Sequence, residues 1–523
     1  MTKRNRTKRY NKGFSETGAS RTRKSLKSFN PQSGSPNEDI IYNLYELRTR
    51  ARTLTMAGGL PLSALKTNRT NVIGCGLVLK SHVDREVLGM SEEEAIAWQN
   101  NTEREFALWA ENKNHCDALG LNDYYKLQQL AFYSALLSGD CATIIQRDEK
   151  AVTKMLPYSL RLNIIESDRI STPNSFVVSG ILRNTEGVNS SNGYKIHDGV
   201  EVDKQGKVVA YHISNNYPGE ITDETTVWTR VSAFGKETGL PNIIFNMQDI
   251  ERPGQYRGLP LIAPVIESIL QIRRYTDSEL MAAVVESLFT AFIKTEARTD
   301  EIPFNEVDQG EQAIQTNENE YEMGPGNAII MKPGEDVTFA DPKRPAGGFP
   351  AFVEAVAVQI GASLEIPKEM LLKQFNSSYS ASRAALLEFW KLVKMRREWF
   401  VSDWCRPIYE VWMYEAVARG RIKAPGFFND PIIRMAWLGS DFIGPAQGML
   451  DPTKEITAEE MMCENGFSTR SDSAIKLNGS EFIKNVASLG YENQILAQAN
   501  SSQRTADLKN EYTNASVGGQ SET

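Results

Sequence analysis

The sequence predicts an α+β protein: a first half mixing helices with strands, and a second half dominated by helices. Three observations predict it. Apolar residues recur at helical spacing over 38–138, the period falls to two between 142 and 246, and helical patterning returns from Leu261 onward. The stretch FNMQDIERPGQYRGLPLIAPVIESIL at 245–270 joins the two halves. Pro253-Gly254 marks a tight turn, Gly258 and Pro260 a second break, and a long apolar helix begins at about Leu261.

Residues 1–37 and 497–523 are polar and carry too little apolar side chain to offset chain entropy, which predicts disorder at both ends. Ile40, Ile41, Leu44 and Leu47 fall at helical spacing over 38–56. Ser91-Glu92-Glu93-Glu94 is a capping box opening a helix to about Asn112. A helix over 123–138 turns Leu127, Leu130, Ala131, Tyr124 and Tyr133 inward and stops at Gly139. Strands follow at 142–145 and 160–165, then a hairpin over 200–213 in which Gly206 supplies positive φ, then strands at 226–232 and 241–246. Residues 38–258 therefore form a mixed α+β unit.

Beyond it, 261–297 reads as one long helix. Residues 298–346 are broken by Pro and Gly, with short strands at 328–331 and 337–339. A helix covers 350–364, residues 368–379 are polar and irregular, and a helix from about Ser380 to Gly420 is kinked at Pro407, which lacks a backbone N–H. Short helices occupy 451–496.

The chain has 523 residues, 41% hydrophobic and 24% charged, enough for several domains of an ordinary globular protein. Its net charge of -8 is unevenly placed. Residues 1–30 hold ten Lys or Arg against Glu16 alone, about +9, which leaves about -17 on the rest. This basic arm has three readings: it neutralises nucleic-acid phosphates, it is a disordered tail that merely solubilises, or it binds an acidic protein surface. Residues 296–341 carry twelve Asp or Glu against Arg298 and Lys332, a density that repels DNA and attracts basic protein surfaces. An acidic insertion without a partner is the plain alternative.

Five dispersed cysteines and no C-x-x-C point to reduced thiols. The four histidines show no zinc spacing, and adjacent His115-Cys116 reads as packing, so no metal and no cofactor is expected. Residues 1–30 lack the apolar core of a signal peptide. The most apolar helical run, Leu280–Ile293, is interrupted by Glu286 and is too short to span a bilayer, so no membrane partner is expected. Enzyme signatures are missing: no G-x-x-x-x-G-K-[ST], no G-x-S-x-G and no strand-borne G-x-G-x-x-G. Pairs such as Glu92/Glu93, Asp300/Glu301 and Glu459/Glu460 lie in capping or acidic contexts. The aromatics Phe389, Trp390, Trp399, Phe400, Trp404, Tyr409, Trp412 and Tyr414 are spaced as helix core or subunit interface. No enzyme is predicted.

Ordered motifs supply a more specific reading. Arg252-Pro253-Gly254-Gln255-Tyr256-Arg257-Gly258-Leu259-Pro260 resembles the R-P-G-Q-x-R-G-x-P signature of lambda-type phage portal proteins. That family's other landmarks recur in order: NVIGCGL at 71–77, IIESDR at 164–169, GVEVD at 199–203, VAY at 209–211, YSASRAA at 379–385 and DPTKE at 451–455. The resemblance implies a wing at 38–258, a stem of 259–297 and 347–366, a clip at 298–346, and a tunnel loop at 367–382. A long kinked helix and wing return follow at 383–450, then a helical crown at 451–496 and a flexible tail at 497–523. It implies a homo-oligomeric ring, dodecameric in the capsid, through which double-stranded DNA passes without sequence readout. Partners would be the terminase large subunit, a head–tail connector or adaptor, and the major capsid and scaffolding proteins. It places the clip on Asp300, Glu301, Glu306, Asp308, Glu311, Glu318, Glu320 and Glu322, and the tunnel loop on Lys373, Gln374, Asn376, Ser377, Ser378, Tyr379 and Ser380. After Lys373 that loop is uncharged, which suits a lining over which DNA slides, because tight Lys or Arg contacts would add barriers. Alternatively it is a helix-linking loop in which Ser380 or Ser382 caps the next helix. Two other functions stay open: a minor capsid or head–tail adaptor protein without a DNA channel, and a nucleic-acid enzyme.

Overall fold

The computed structural model describes residues 19–20, 23–29, 31–178, 180–287, 291–293, 328–330, 348–375, 378–449 and 451–517. In chain order the first elements are α1 (Pro36–Met56), α2 (Leu60–Val72), β1 (Val78–Ser81), α3 (Arg85–Leu88), α4 (Glu92–Ala110), α5 (Lys113–Cys116) and α6 (Tyr124–Ser138). Strands follow: β2 (Asp140–Arg147), β3 (Leu160–Glu166), β4 (Phe176–Val178), β5 (Ile181–Arg183), β6 (Glu186–Val188), β7 (Lys195–His197), β8 (Val200–Val202), β9 (Val208–Ser214), β10 (Trp228–Ser232) and β11 (Ile243–Met247). Then come α7 (Ile266–Ser287), β12 (Ala291–Ile293), β13 (Ala328–Ile330), α8 (Phe349–Ser363), α9 (Lys368–Leu372), α10 (Tyr379–Phe400) and α11 (Arg406–Ala418). The last are α12 (Pro431–Leu438), β14 (Ser440–Ile443), α13 (Pro452–Glu464), α14 (Arg470–Asn478) and α15 (Phe482–Val517).

The chain divides into two compact units, and the 38–258 span is shared between them. The smaller comprises 1–46, 168–231 and 249–258. It holds a five-stranded sheet in the order β10-β9-β8-β7-β6 and a separate β4–β5 hairpin. The predicted 200–213 hairpin is present: β8 pairs with β9, and Gly206 takes φ 87° at the turn. Within this unit the R-P-G-Q-x-R-G stretch is built from the inside. Gly254 adopts φ 80°, Gln255 accepts from the Glu251 and Arg252 amides, and its amide donates to the Arg257 carbonyl at 2.9 Å. The fully buried Arg257 guanidinium donates to Asp198 at 2.7 Å and to the Ile170 carbonyl at 2.8 Å. Arg252 pairs with Asp39 and reaches the Gly34 carbonyl at 3.2 Å, and Asn37 donates to the Gly254 carbonyl at 3.2 Å. Residues 34–37, predicted as disordered arm, are therefore fixed by hydrogen bonds, and α1 already begins at Pro36. Residues 1–18 of the basic arm lie outside the described residues.

A second buried charge organises the same sheet. Glu201 accepts from Arg230 through both oxygens (2.8 and 3.0 Å), and from Asn189, Asn192 and His212. Burial alone would raise its carboxyl, but these donors pull it down to about 2. Its stabilisation should be complete above the ordinary carboxylate value of 4.5 and should disappear as pH falls toward 2. The expected loss is on the order of 2–3 kcal/mol, absent in Glu201→Gln. Acid unfolding of both proteins, followed by Trp228 fluorescence, checks this; matching acid transitions would refute it.

The larger unit comprises 47–167, 232–248 and 259–523. Its three-stranded sheet is antiparallel in the order β11-β2-β3, with Cys141 opposite Glu166 and Ile144 opposite Ile243, and β1 pairs separately with β14. The Ser91 capping box forms as predicted and starts α4. Phe106 meets Trp412, Tyr124 and Tyr409 edge-on, and Tyr124 stacks on Trp404. Six of the eight aromatics between 389 and 414 are thus core, whereas Trp399 is 38% exposed and Tyr414 half-buried. His115 accepts from the Tyr158 amide in the interior, as a packing role requires.

Several expectations are corrected. Leu130 is 45% exposed rather than inward-facing. Helix α2 was not foreseen; Pro61 in its first turn was the available signal. The predicted 261–297 helix stops at Ser287, and Ala291–Ile293 pairs in parallel with Ala328–Ile330, as extended geometry suits Phe292 and Ile293. The strand predicted at 337–339 lies outside the described residues. Residues 497–517, predicted as disordered, continue α15, in keeping with their Ala, Gln, Leu and Lys content. The irregularity expected at Pro407 falls just before it, as a π-turn over Val401–Cys405 in which the Arg406 amide bonds the Val401 carbonyl.

Candidate nucleic-acid interface

The candidate loop hangs between α8 and α10 in the larger unit. At the end of α8 the Ile366 amide bonds the Gly361 carbonyl at 2.8 Å, and Glu365 turns the chain at φ 57°. Gly361 is required there, since a Cβ would stand 2.5 Å from the Ile366 carbonyl oxygen. Pro367 then opens α9, a correction to the irregular backbone expected from 368. Lys373 closes α9 in the left-handed region, φ 57°.

The base of this turn rests on α2. Ser63 donates to the Leu371 carbonyl at 2.7 Å, and the Lys373 ammonium donates to buried Thr67 Oγ1 at 2.7 Å. Partial burial pushes the Lys373 amine below its ordinary value. On the far side Ser378, not Ser380 or Ser382, caps α10: its Oγ accepts from the Ala381 amide at 3.4 Å and lies 3.3 Å from Ser380 Oγ. Helix α10 is tied to α2 as well. Arg396 donates to Asn68 at 2.8 Å, and Arg397 to the Val72 and Asn71 carbonyls at 2.9 and 2.8 Å, completing the carboxyl end of α2. Burial lowers Arg397 to about 10.

Of the predicted loop residues, Lys373, Gln374, Ser378, Tyr379 and Ser380 are exposed together with Phe375. The Lys373 ammonium reaches back to Thr67 on α2. Asn376 and Ser377 lie outside the described residues, as do all eight predicted clip acids from Asp300 to Glu322. What is described of that segment is its boundary, the parallel pair β12–β13 with Ala291 opposite Ala328 and Ile293 opposite Ile330. The α2 residues Ser63, Thr67 and Asn68 were missed as loop supports. The available signal was Ser63 and Thr67, two hydroxyls four residues apart. Among the described residues no group of three His, Cys, Asp or Glu is placed to hold a metal. The exposed loop offers hydroxyls, an amide and rings, which can exchange hydrogen bonds with a moving polyanion without holding it.

Residues 22–397, which include the 252–260 signature and the loop, match the description "phage portal protein, lambda family". The chain belongs to that family. Its portal relatives include portal protein B of Escherichia phage lambda, 23% identical over 462 residues covering 85% of this chain and 83% of the relative. The portal protein of Escherichia phage N15 is also 23% identical, with the same coverage. A probable portal protein of Halomonas phage phiHAP-1 is 24% identical over 83% of this chain and 77% of its own length. Among solved structures, a chain of the native gene transfer agent virion aligns over 82% of this portal chain and 94% of its own, with 12% identity and a TM-score of 0.39. A chain from the neck of the native particle, computed with C12 symmetry, aligns over 79% and 100% with a TM-score of 0.32.

Proposed function

We propose that this portal protein assembles as a closed head-to-tail ring, dodecameric at a single capsid vertex, and that its axial hole carries double-stranded DNA during packaging, retention and ejection. Helices α7 and α8 form the stem, 298–346 the clip, 367–382 the tunnel loop, and 451–496 the crown. The clip docks first the terminase large subunit and then the head–tail connector or adaptor, while the wing meets major capsid and scaffolding proteins. The protein assembles in the host cytoplasm and stays in the virion. It works by shape and charge without a catalytic step of its own.

One observation carries this reading. Helices α7 and α8 come together, with Tyr275 4.8 Å from Phe352 between ring centroids, yet both leave apolar side chains exposed. Leu280 and Met281 are 64% and 63% exposed on α7, Phe352 and Val358 47% and 44% on α8. Helix α8 carries a single charge, Glu354, and is apolar on every side. Such a helix belongs between protein surfaces, and a neighbouring copy supplies the second one.

Electron microscopy of the purified full chain tests this. Rings with an axial hole are expected; an exclusively monomeric protein would support an adaptor without a channel. Magnesium-dependent nuclease or ATP turnover above background would overturn the non-catalytic reading.

A further inference from the structure

We infer that Lys373 is a positioning residue that pins the root of the channel loop to α2, and is not among the groups that meet DNA. The inference rests on the channel-loop reading above. Ser63 and Thr67 lie four residues apart on one face of α2, and they take the Leu371 carbonyl and the Lys373 ammonium, each at 2.7 Å. The helix that follows the loop, α10, packs on α2 near its far end, through Arg396 on Asn68 and Arg397 on the carbonyls of Asn71 and Val72. Helix α2 therefore anchors the incoming end of the loop, where the left-handed backbone at Lys373 lets its ammonium reach back to Thr67 while Gln374 and Phe375 continue outward. The arrangement has a physical purpose. A cation free at the loop root would gather phosphates and slow a sliding duplex. Directed at Thr67, the same cation holds the loop root against α2.

The test compares Thr67→Val, Lys373→Met and Lys373→Arg in the full chain, assembled as rings, with a nitroxide on Gln374→Cys and exposed Cys75 changed to Ser. Loss of a charge-assisted hydrogen bond should raise the mobile fraction of the label about tenfold in both Thr67→Val and Lys373→Met, with partial recovery in Lys373→Arg. Filled heads of the first two variants should leak DNA to the same extent. A DNA defect in Lys373→Met that Thr67→Val does not share would make Lys373 a direct phosphate contact and overturn the inference, as would an unchanged label in both. Should the variants fail to assemble, the same label is read in the unassembled full chain: raised mobility in both Thr67→Val and Lys373→Met supports the pin, and unchanged mobility refutes it. A photo-cross-linker at Gln374 that never captures DNA in filled heads would remove the channel-loop reading while leaving the label result intact.

Discussion

Rings carrying lysine at Ser377, Ser378 and Tyr379 should assemble normally yet package DNA at least about tenfold more slowly at low salt, with the defect easing as salt rises. Each lysine adds a phosphate contact, and every copy in the ring adds it again, so the barrier to sliding grows with subunit number. The wild-type stretch from Gln374 to Ser382 carries no charge, and Ser378 and Tyr379 are exposed. Ser378→Lys also removes the cap of α10, a cost of about 1 kcal/mol. Ser378→Ala is therefore the control that separates helix fraying from added charge. Packaging rate in a defined system, measured against ionic strength, checks the prediction. Normal packaging and retention in the triple variant would remove 374–380 from the channel wall.

Arg257→Met should destabilise the smaller unit by about 3–5 kcal/mol. The guanidinium is fully buried, and without it the Asp198 carboxylate and the Ile170 carbonyl remain in an interior that water cannot reach. Lysine should rescue poorly, because a single ammonium cannot reproduce the planar fork. Pairing Arg257→Met with Asp198→Asn should recover part of the loss, since the stranded charge is then gone. Urea unfolding with limited proteolysis of residues 168–231 reads the effect. A midpoint shift corresponding to less than about 1 kcal/mol would show that the buried pair is not what holds this unit together.

These two sites mark how far sequence reasoning reached. Local chemistry was legible: the capping box at Ser91, the hairpin turned by Gly206, and the breaks at Pro253-Gly254 are each written within a few residues and each forms. Signatures named the family, but not what their residues do. Arg257 owes its role to Asp198, 59 positions away, and no pattern around 257 announces that partner. The support of the loop was hidden for the same reason. As a string, Lys373 is one more polar residue before a serine-rich stretch, and only the position of Thr67, 306 residues earlier, gives its ammonium a partner. Helix α2 escaped notice because its buried face mixes Asn68 and Thr67 with leucine and alanine, which blurs the apolar period. The end of α7 was misplaced because an uncharged run reads equally well as helix or strand, and its strand partner lies across the acidic segment.

The wide turn at Val401–Cys405 places one surplus residue between two helical lengths. Each residue of an α-helix advances about 100° around its axis. Removing any one of these five would let α10 and α11 fuse into an uninterrupted rod, but would swing the loop-bearing end through that angle relative to Trp404 and Trp412 in the interior. A single-codon deletion at this point would act as a rotation, re-aiming every side chain from Tyr379 to Phe400 while leaving their order along the chain untouched.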